Sequence, residues 1–210
     1  MRSWNYRQFF GMVCAVALLL SGCLLKPVKV STHRFVLSPV PASKHPSAAR
    51  EELSVSVGVG AVKMPTYLLK SSMALRKGTN EIIYLEDALW AERLDQSFQR
   101  TLAADLSTLL PSDRVYLSAW EPGQVGLRLF VSVEEFDVDA QGRGTLIASW
   151  RITAPGSHKP IKSGQTRLTK SGALPHDGPQ VIATTLSALT SEFSGQLAQE
   201  LRAVRPADGQ

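Results

Sequence analysis

Ile82–Leu110 reads I-I-Y-L-E-D-A-L-W-A-E-R-L-D-Q-S-F-Q-R-T-L-A-A-D-L-S-T-L-L. Ile82 to Leu85 are β-branched and aromatic, and predict a short strand. Glu86-Asp87 then predicts a tight corner. From Leu94 the apolar residues fall at helical spacing, at Leu94, Phe98, Leu102, Leu106, Leu109 and Leu110. Asp95, Gln99, Arg100 and Ser107 fall on the other side, so the helix has one wet face and one buried face. Pro111 stops it, because proline cannot continue the hydrogen-bond ladder. A long helix with one apolar stripe needs a sheet to lie on.

The flanking sequence supplies strands. Arg34–Leu37 is a short candidate, ended by Pro39, and 39–52 is rich in Pro, Ser and Ala and reads as a loop. Leu53–Val59 alternates Leu53, Val55, Val57 and Val59 against Ser54, Ser56 and Gly58, the pattern of a half-buried strand. Val115–Trp120 is another candidate. In Gly126–Asp137, Leu127, Leu129, Val131 and Val133 alternate with Arg128, Phe130, Ser132 and Glu134. After a turn at Gln141–Gly144, Leu146, Ala148, Trp150 and Ile152 repeat that alternation, so the two segments form a hairpin with one apolar face. Ile161–Leu168 returns as a further strand. Asp177-Gly178-Pro179 opens a last helix, with Asp177 as its cap and a stripe of Ile182, Leu186, Leu189, Phe193, Leu197 and Leu201. The expected fold is α/β: a single domain with a mixed, mostly antiparallel sheet of five to seven strands and two long helices packed on it.

The N-terminus carries a processing signal. Arg2 and Arg7 form a positive region, and Phe9–Leu20 is an apolar run of 12 residues, too short to span a bilayer comfortably as a helix. It ends in Leu20-Ser21-Gly22-Cys23, which resembles the bacterial lipobox. Small Ser21 and Gly22 suit a peptidase groove, and cleavage between Gly22 and Cys23 leaves Cys23 to carry a diacylglycerol and a further acyl chain such as palmitate. Several acyl chains, at about 0.8 kcal/mol per buried CH₂, make a stable anchor. An uncleaved membrane anchor, or a plain signal with a chance cysteine, is the alternative. The expected organisation is a signal peptide at 1–22, a lipid-anchored tether at 23–32, one domain at 33–204 and a frayed tail at 205–210. The only other cysteine, Cys14, lies in the apolar run, so the mature domain holds no disulfide. Losing Arg2 and Arg7 takes the net charge from +5 to +3, which does not by itself imply nucleic acid.

A search for chemistry finds little. There is no Gly-x-Ser-x-Gly elbow, Walker motif or His-Glu-x-x-His. His33, His45, His158 and His176 lack metal-ligand spacing, so no metal or other cofactor is expected. His176-Asp177 reads as a capping aspartate beside a surface histidine. Adjacent Glu134 and Glu135 should face opposite sides of a strand and form no carboxylate pair. Gly58-Val59-Gly60 is no phosphate loop, since Lys63-Met64-Pro65 follows where a helix should begin. The two glycines instead let another part of the chain approach the strand end. No catalytic residue is assigned.

Val57–Leu68 (V-G-V-G-A-V-K-M-P-T-Y-L), Asn80-Glu81-Ile82 and Trp90-Ala91-Glu92-Arg93-Leu94 together resemble the ABC-type transport auxiliary lipoprotein family, the PqiC-like proteins. The Trp150-Arg151 strand end and the final helix also fit, and the resemblance covers the whole chain. The family commonly has proline where Arg93 stands and an Asp-Arg pair where Leu69 and Lys70 stand. Proline fits the first helical turn, so the helix should start near Glu92 either way. The resemblance implies a non-enzymatic outer-membrane lipoprotein facing the periplasm, whose partners are an MCE-domain tunnel protein and its inner-membrane permease or ABC transporter, carrying lipid or another apolar cargo. With Leu24 rather than aspartate after Cys23, it also implies sorting to the outer membrane.

Two patches are candidates for partner binding. Tyr67, Leu68 and Trp90 lie at loop-to-element junctions, with Trp90 as core the plainer alternative. Arg143, Arg151, Lys159, Lys162, Arg167 and Lys170 form a segment without acids, whereas acids dominate 121–139. These signs can pair across the hairpin. They can also give two unlike faces, suited to head-to-tail homo-oligomers. A lipopolysaccharide-assembly accessory lipoprotein and an activator of a peptidoglycan synthase are the competing classes; the short tether speaks against the second.

Overall fold

The computed structural model describes residues 31–39, 41, 55–110, 114–118 and 120–204. The chain divides into two units, Met1–Ser31 and Thr32–Gln210, and the second is described here. Leu53, Ser54, Pro111, His45, Gly22 and Cys23 lie outside the described residues, as does 205–210.

In chain order the elements are β1 (His33–Phe35), β2 (Val57–Val59), β3 (Ser72–Gly78), β4 (Glu81–Trp90), α1 (Leu94–Leu109), β5 (Val115–Leu117), β6 (Leu127–Asp139), β7 (Arg143–Thr153), β8 (Pro160–Ser171) and α2 (Gln180–Ala203). The eight strands form one sheet. Its spine is β6. Along one edge β6 pairs antiparallel with β7, which pairs antiparallel with β8. Along the other it meets two partners in succession: β2 beside 127–129 and β3 beside 138–139, both parallel. Lys63 bridges to Ser132 between them. The sheet therefore forks. One prong continues from β2 to β5, the other from β3 through β4 to β1.

Three expectations about strands need correction. Ser72–Gly78 forms a strand that its sequence does not predict; S-M-A-L-R-K-G is short and ends in charge, so its periodicity is weak. Four of the seven strand pairings are parallel, although the long ladders are antiparallel. No corner forms at Glu86-Asp87. There β4 runs through, and the register against β3 jumps from Ser72↔Leu89 to Ala74↔Tyr84, leaving the excess residues of β4 in a bulge.

A second bulge sits in β6. Val133 pairs with Ala148 but Glu135 pairs with Ile147, so Glu134 is the extra residue. Before it the odd-numbered residues Leu127, Leu129, Val131 and Val133 face the helices; after it Phe136 and Val138 do. The expectation that Glu134 and Glu135 face opposite sides fails for this reason. Glu134 accepts from Ser149, and Glu135 stands opposite Ile147, two residues away on the same face of β7. Both reach the face away from the helices.

Both helices pack on one face. Phe98 of α1 meets Phe136 of β6 edge to face at 5.2 Å and lies 6.1 Å from Phe193 of α2, and all three are fully buried. The helical stripe Leu94, Phe98, Leu102 and Leu106 is 0–2 % exposed, as the spacing requires. Helix α1 starts at Leu94, two residues past the expected Glu92, with Asp95 in its first turn favourably placed against the helix dipole. The last helix is not capped by Asp177. Pro175–Asp177 is a separate 3₁₀ turn, Gly178 takes a left-handed φ of 118°, and Pro179 leads into α2 without a side-chain cap.

Strand β2 is buried on both sides rather than half-buried. Val57 and Val59 point to the helices, and Gly58 and Gly60 lie beneath aromatic rings. A Cβ on Gly58 would sit 2.8 Å from the Trp120 ring, and one on Gly60 2.8 Å from Phe130. The close approach expected at these glycines is made by Trp120 and Phe130.

Candidate functional site

The helix-free face of the sheet carries most of the unusual polar chemistry. Where the sheet forks, the 3₁₀ turn Thr66–Leu69 sets Tyr67 beside the second half of β6. Asp137, 2 % exposed, accepts from the Tyr67 hydroxyl at 2.9 Å and from Arg76 twice, at 2.8 and 2.7 Å. Glu135 lies 3.6 Å from the same guanidinium. Burial, and then the negative charge of Asp137, push the Tyr67 phenol well above its ordinary value, while the hydrogen bonds to Asp137 hold the Arg76 guanidinium firmly protonated. Tyr84 donates to the Tyr67 carbonyl at 3.2 Å, and Lys70 lies 4.3 Å from the Tyr84 ring centroid. Each strong donor and acceptor in this cluster has a partner within it, which suits holding the fork closed.

Of the patch read from sequence, Leu68 and Trp90 are core, 3 % and 4 % exposed. Tyr67 is half-buried and turned into the Asp137 cluster. The structure does not bring the three together as an exposed surface. The basic segment is dispersed in the same way. Lys162 pairs with Glu200 and Lys170 lies 3.9 Å from Glu192, both acids on α2, and Arg143 lies 3.9 Å from Asp139. Lys159 is exposed in the β7–β8 turn and has no ion pair among the described residues.

Arg151 takes a different position. It lies on the helix-free face with its guanidinium 4.7 Å from the Phe130 ring centroid. Beside it Glu134 accepts from Ser149 at 2.7 Å and from Gln165 at 3.1 Å, bonds that hold its carboxyl below the usual range. His176 and Asp177 stand 3.4 Å apart, both exposed, a surface pair. Among the described residues no group of three His, Cys, Asp or Glu side chains could hold a metal ion, and no helix is long and apolar enough to cross a membrane.

Sequence reading missed the Arg76–Asp137 pair. The residues lie 61 positions apart, and the sequence of β3 carries no clear strand periodicity. An aspartate at the end of an apolar strand was the one available signal.

Similarity to known proteins places the chain in a class, the lipoprotein components of transport systems. The chain belongs to the family of ABC-type transport auxiliary lipoprotein components, whose model matches residues 35–198. It is 27 % identical over 192 residues to the intermembrane transport lipoprotein PqiC of Escherichia coli K12, covering 91 % of this chain and 96 % of that protein; the Shigella flexneri PqiC matches equally. Among solved structures, a Xanthomonas campestris protein superposes with a TM-score of 0.61 at 12 % identity, over 82 % of this chain and 95 % of its own. An uncharacterized protein does so with the same TM-score at 22 % identity, over 72 % and 96 %. These two share the fold.

Proposed function

We propose that this chain is a non-enzymatic lipoprotein of the outer membrane that docks the periplasmic end of an MCE-type tunnel protein, within an intermembrane lipid transport system driven from the inner membrane. The observation that carries this reading is the similarity to PqiC, an intermembrane transport lipoprotein, across nearly the full length of both chains. The sequence adds the reason for its location: Cys23 receives the lipid, and the short stretch 24–32 keeps the domain near the membrane, so the partner must come to it. The Tyr67–Asp137–Arg76 cluster is read as scaffold rather than as a reaction centre, because its groups satisfy one another.

Assembly into a homo-oligomer is part of this reading. Among the described residues, β8 has a strand partner on one side only, and β4 meets β1 only at Ala88–Trp90. The first edge carries Arg167, with Lys159 in the turn that leads into it, and the second carries Glu81 and Glu86. Unlike edges suit a head-to-tail contact, which closes into a ring when the rotation permits.

Lipidation tests the anchor. Cells fed a clickable fatty acid should label the parent and not the Cys23→Ser variant, and the parent should fractionate with the outer membrane. Equal labelling, or a parent found in the inner membrane, would refute the localisation.

A further inference from the structure

Across the helix-free face of β6, β7 and β8 runs a groove of about 530 Å³. Its floor is Phe130, Ser132 and Arg151, and its walls include Ala61 and Lys63 on one side and Ser163 on the other. The volume is that of a small-ligand site.

The groove holds two cations and is lined by no acid. Arg76, Arg93, Arg100, Lys162 and Lys170 each meet a carboxylate. Lys63 and Arg151 meet none among the described residues, and no carboxylate lines the groove. The nearby Glu134 is engaged by Ser149 and Gln165. Arg151 is stacked on Phe130, which fixes the guanidinium and leaves its N–H groups free to donate. Two residues along each strand on the same face, Arg128 and Thr153 stand directly opposite each other. Arg128 Nε and Thr153 Oγ1 are buried without a hydrogen-bond partner among the described residues. Arg128 and Thr153 do not line the groove; what calls for an anion there is the pair of cations, Lys63 and Arg151, in a lining without a carboxylate.

The groove is also apolar. Phe130, Ala61 and Pro160 line it, and Ile161, the chain neighbour of Pro160, is 51 % exposed. A bare inorganic anion has no use for such a surface, whereas an acyl-bearing anion does. We infer that this groove holds the headgroup of one anionic glycerophospholipid, its phosphate between Lys63 and Arg151 and its acyl chains leaving over Phe130 and Ile161. The site goes beyond the docking role and does not depend on a tunnel partner, so binding of purified protein and docking fail or succeed separately.

The test uses the mature lipidated protein, released from detergent micelles for native mass spectrometry with added phosphatidylglycerol, phosphatidylcholine or glycerol 3-phosphate. One phosphatidylglycerol per chain should be retained, in preference to phosphatidylcholine, and glycerol 3-phosphate should not be. Lys63→Gln and Arg151→Gln should each lower retention about tenfold, the size of one lost charge-assisted hydrogen bond. Lys159→Gln, in the β7–β8 turn and outside the groove, should retain it like the parent. Both groove side chains are exposed, so circular dichroism of the variants should match the parent. Parent-like retention by both groove variants would overturn the site. Equal retention of phosphatidylcholine, tight binding of glycerol 3-phosphate alone, or an equal loss in Lys159→Gln would do the same.

Discussion

The guanidinium of Arg76 and the carboxylate of Asp137 meet through two parallel hydrogen bonds, Nε–Oδ1 at 2.8 Å and Nη2–Oδ2 at 2.7 Å. This is the fork-to-fork geometry that gives an arginine pair both strength and direction. It ties β3 to β6 where the two strands share only a two-residue parallel ladder. Arg76→Ala would leave the nearly fully buried carboxylate with Tyr67 as its remaining hydrogen-bond donor in the cluster. We expect a loss of about 2 kcal/mol in urea unfolding, less than for a fully buried pair because the guanidinium is a quarter exposed. An unchanged midpoint would show that the fork is held by packing alone.

Tyr67 sets a pH dependence on the alkaline side. Its folded-state pKa is raised by burial and by Asp137, so the neutral phenol is favoured in the folded chain. Its contribution is fully present below the ordinary tyrosine value near 10 and is lost as pH rises above it, because the unfolded chain then releases a proton that the folded chain keeps. Unfolding free energy measured at pH 9 and pH 11 should fall more steeply in the parent than in Tyr67→Phe. Parallel curves would contradict this.

Helix α1 is held to the sheet by its stripe. Leu102 is fully buried. Leu102→Ala should cost about 3 kcal/mol, and Leu102→Asp, which buries an unpaired carboxylate, should prevent folding at ordinary temperatures. Calorimetry of the two variants checks this; a Leu102→Asp protein that melts like the parent would show that the face is not core.

A methyl group on Gly58 would collide with Trp120 at 2.8 Å. Gly58→Ala should displace that ring and cost about 1–3 kcal/mol. The indole emission should shift to the red together with a lower melting temperature. Stability and emission like the parent's would show that Trp120 does not depend on the strand beneath it.

The elements with long single periods were legible in the sequence: the two helical stripes and the hairpin of β6 and β7. What escaped was set by long-range pairing. Ser72–Gly78 has no clear alternation, and it becomes a strand because β4 and β6 offer it two edges. The bulge at Glu134 reverses the facing of every later residue in β6, yet nothing in V-S-V-E-E-F announces it. The site candidates suffered for the same reason. Trp90 and Leu68 look like surface anchors at element junctions, but the forked sheet folds over them. Lys162 and Lys170 look like a free basic run until α2 brings Glu200 and Glu192 alongside. Reversing those two lysines would therefore repel α2 as well as alter any partner contact, so Lys159→Glu is the cleaner probe of the surface. It should slow association at low salt and leave the melting temperature unchanged.

The docking role is tested most directly by chemical cross-linking of intact cells, followed by capture of the lipidated chain and mass spectrometry of what it carries. An MCE-domain protein should be joined to it, with the link lost in Cys23→Ser. Cross-links confined to an outer-membrane β-barrel of lipopolysaccharide assembly, or to a peptidoglycan synthase, would contradict it.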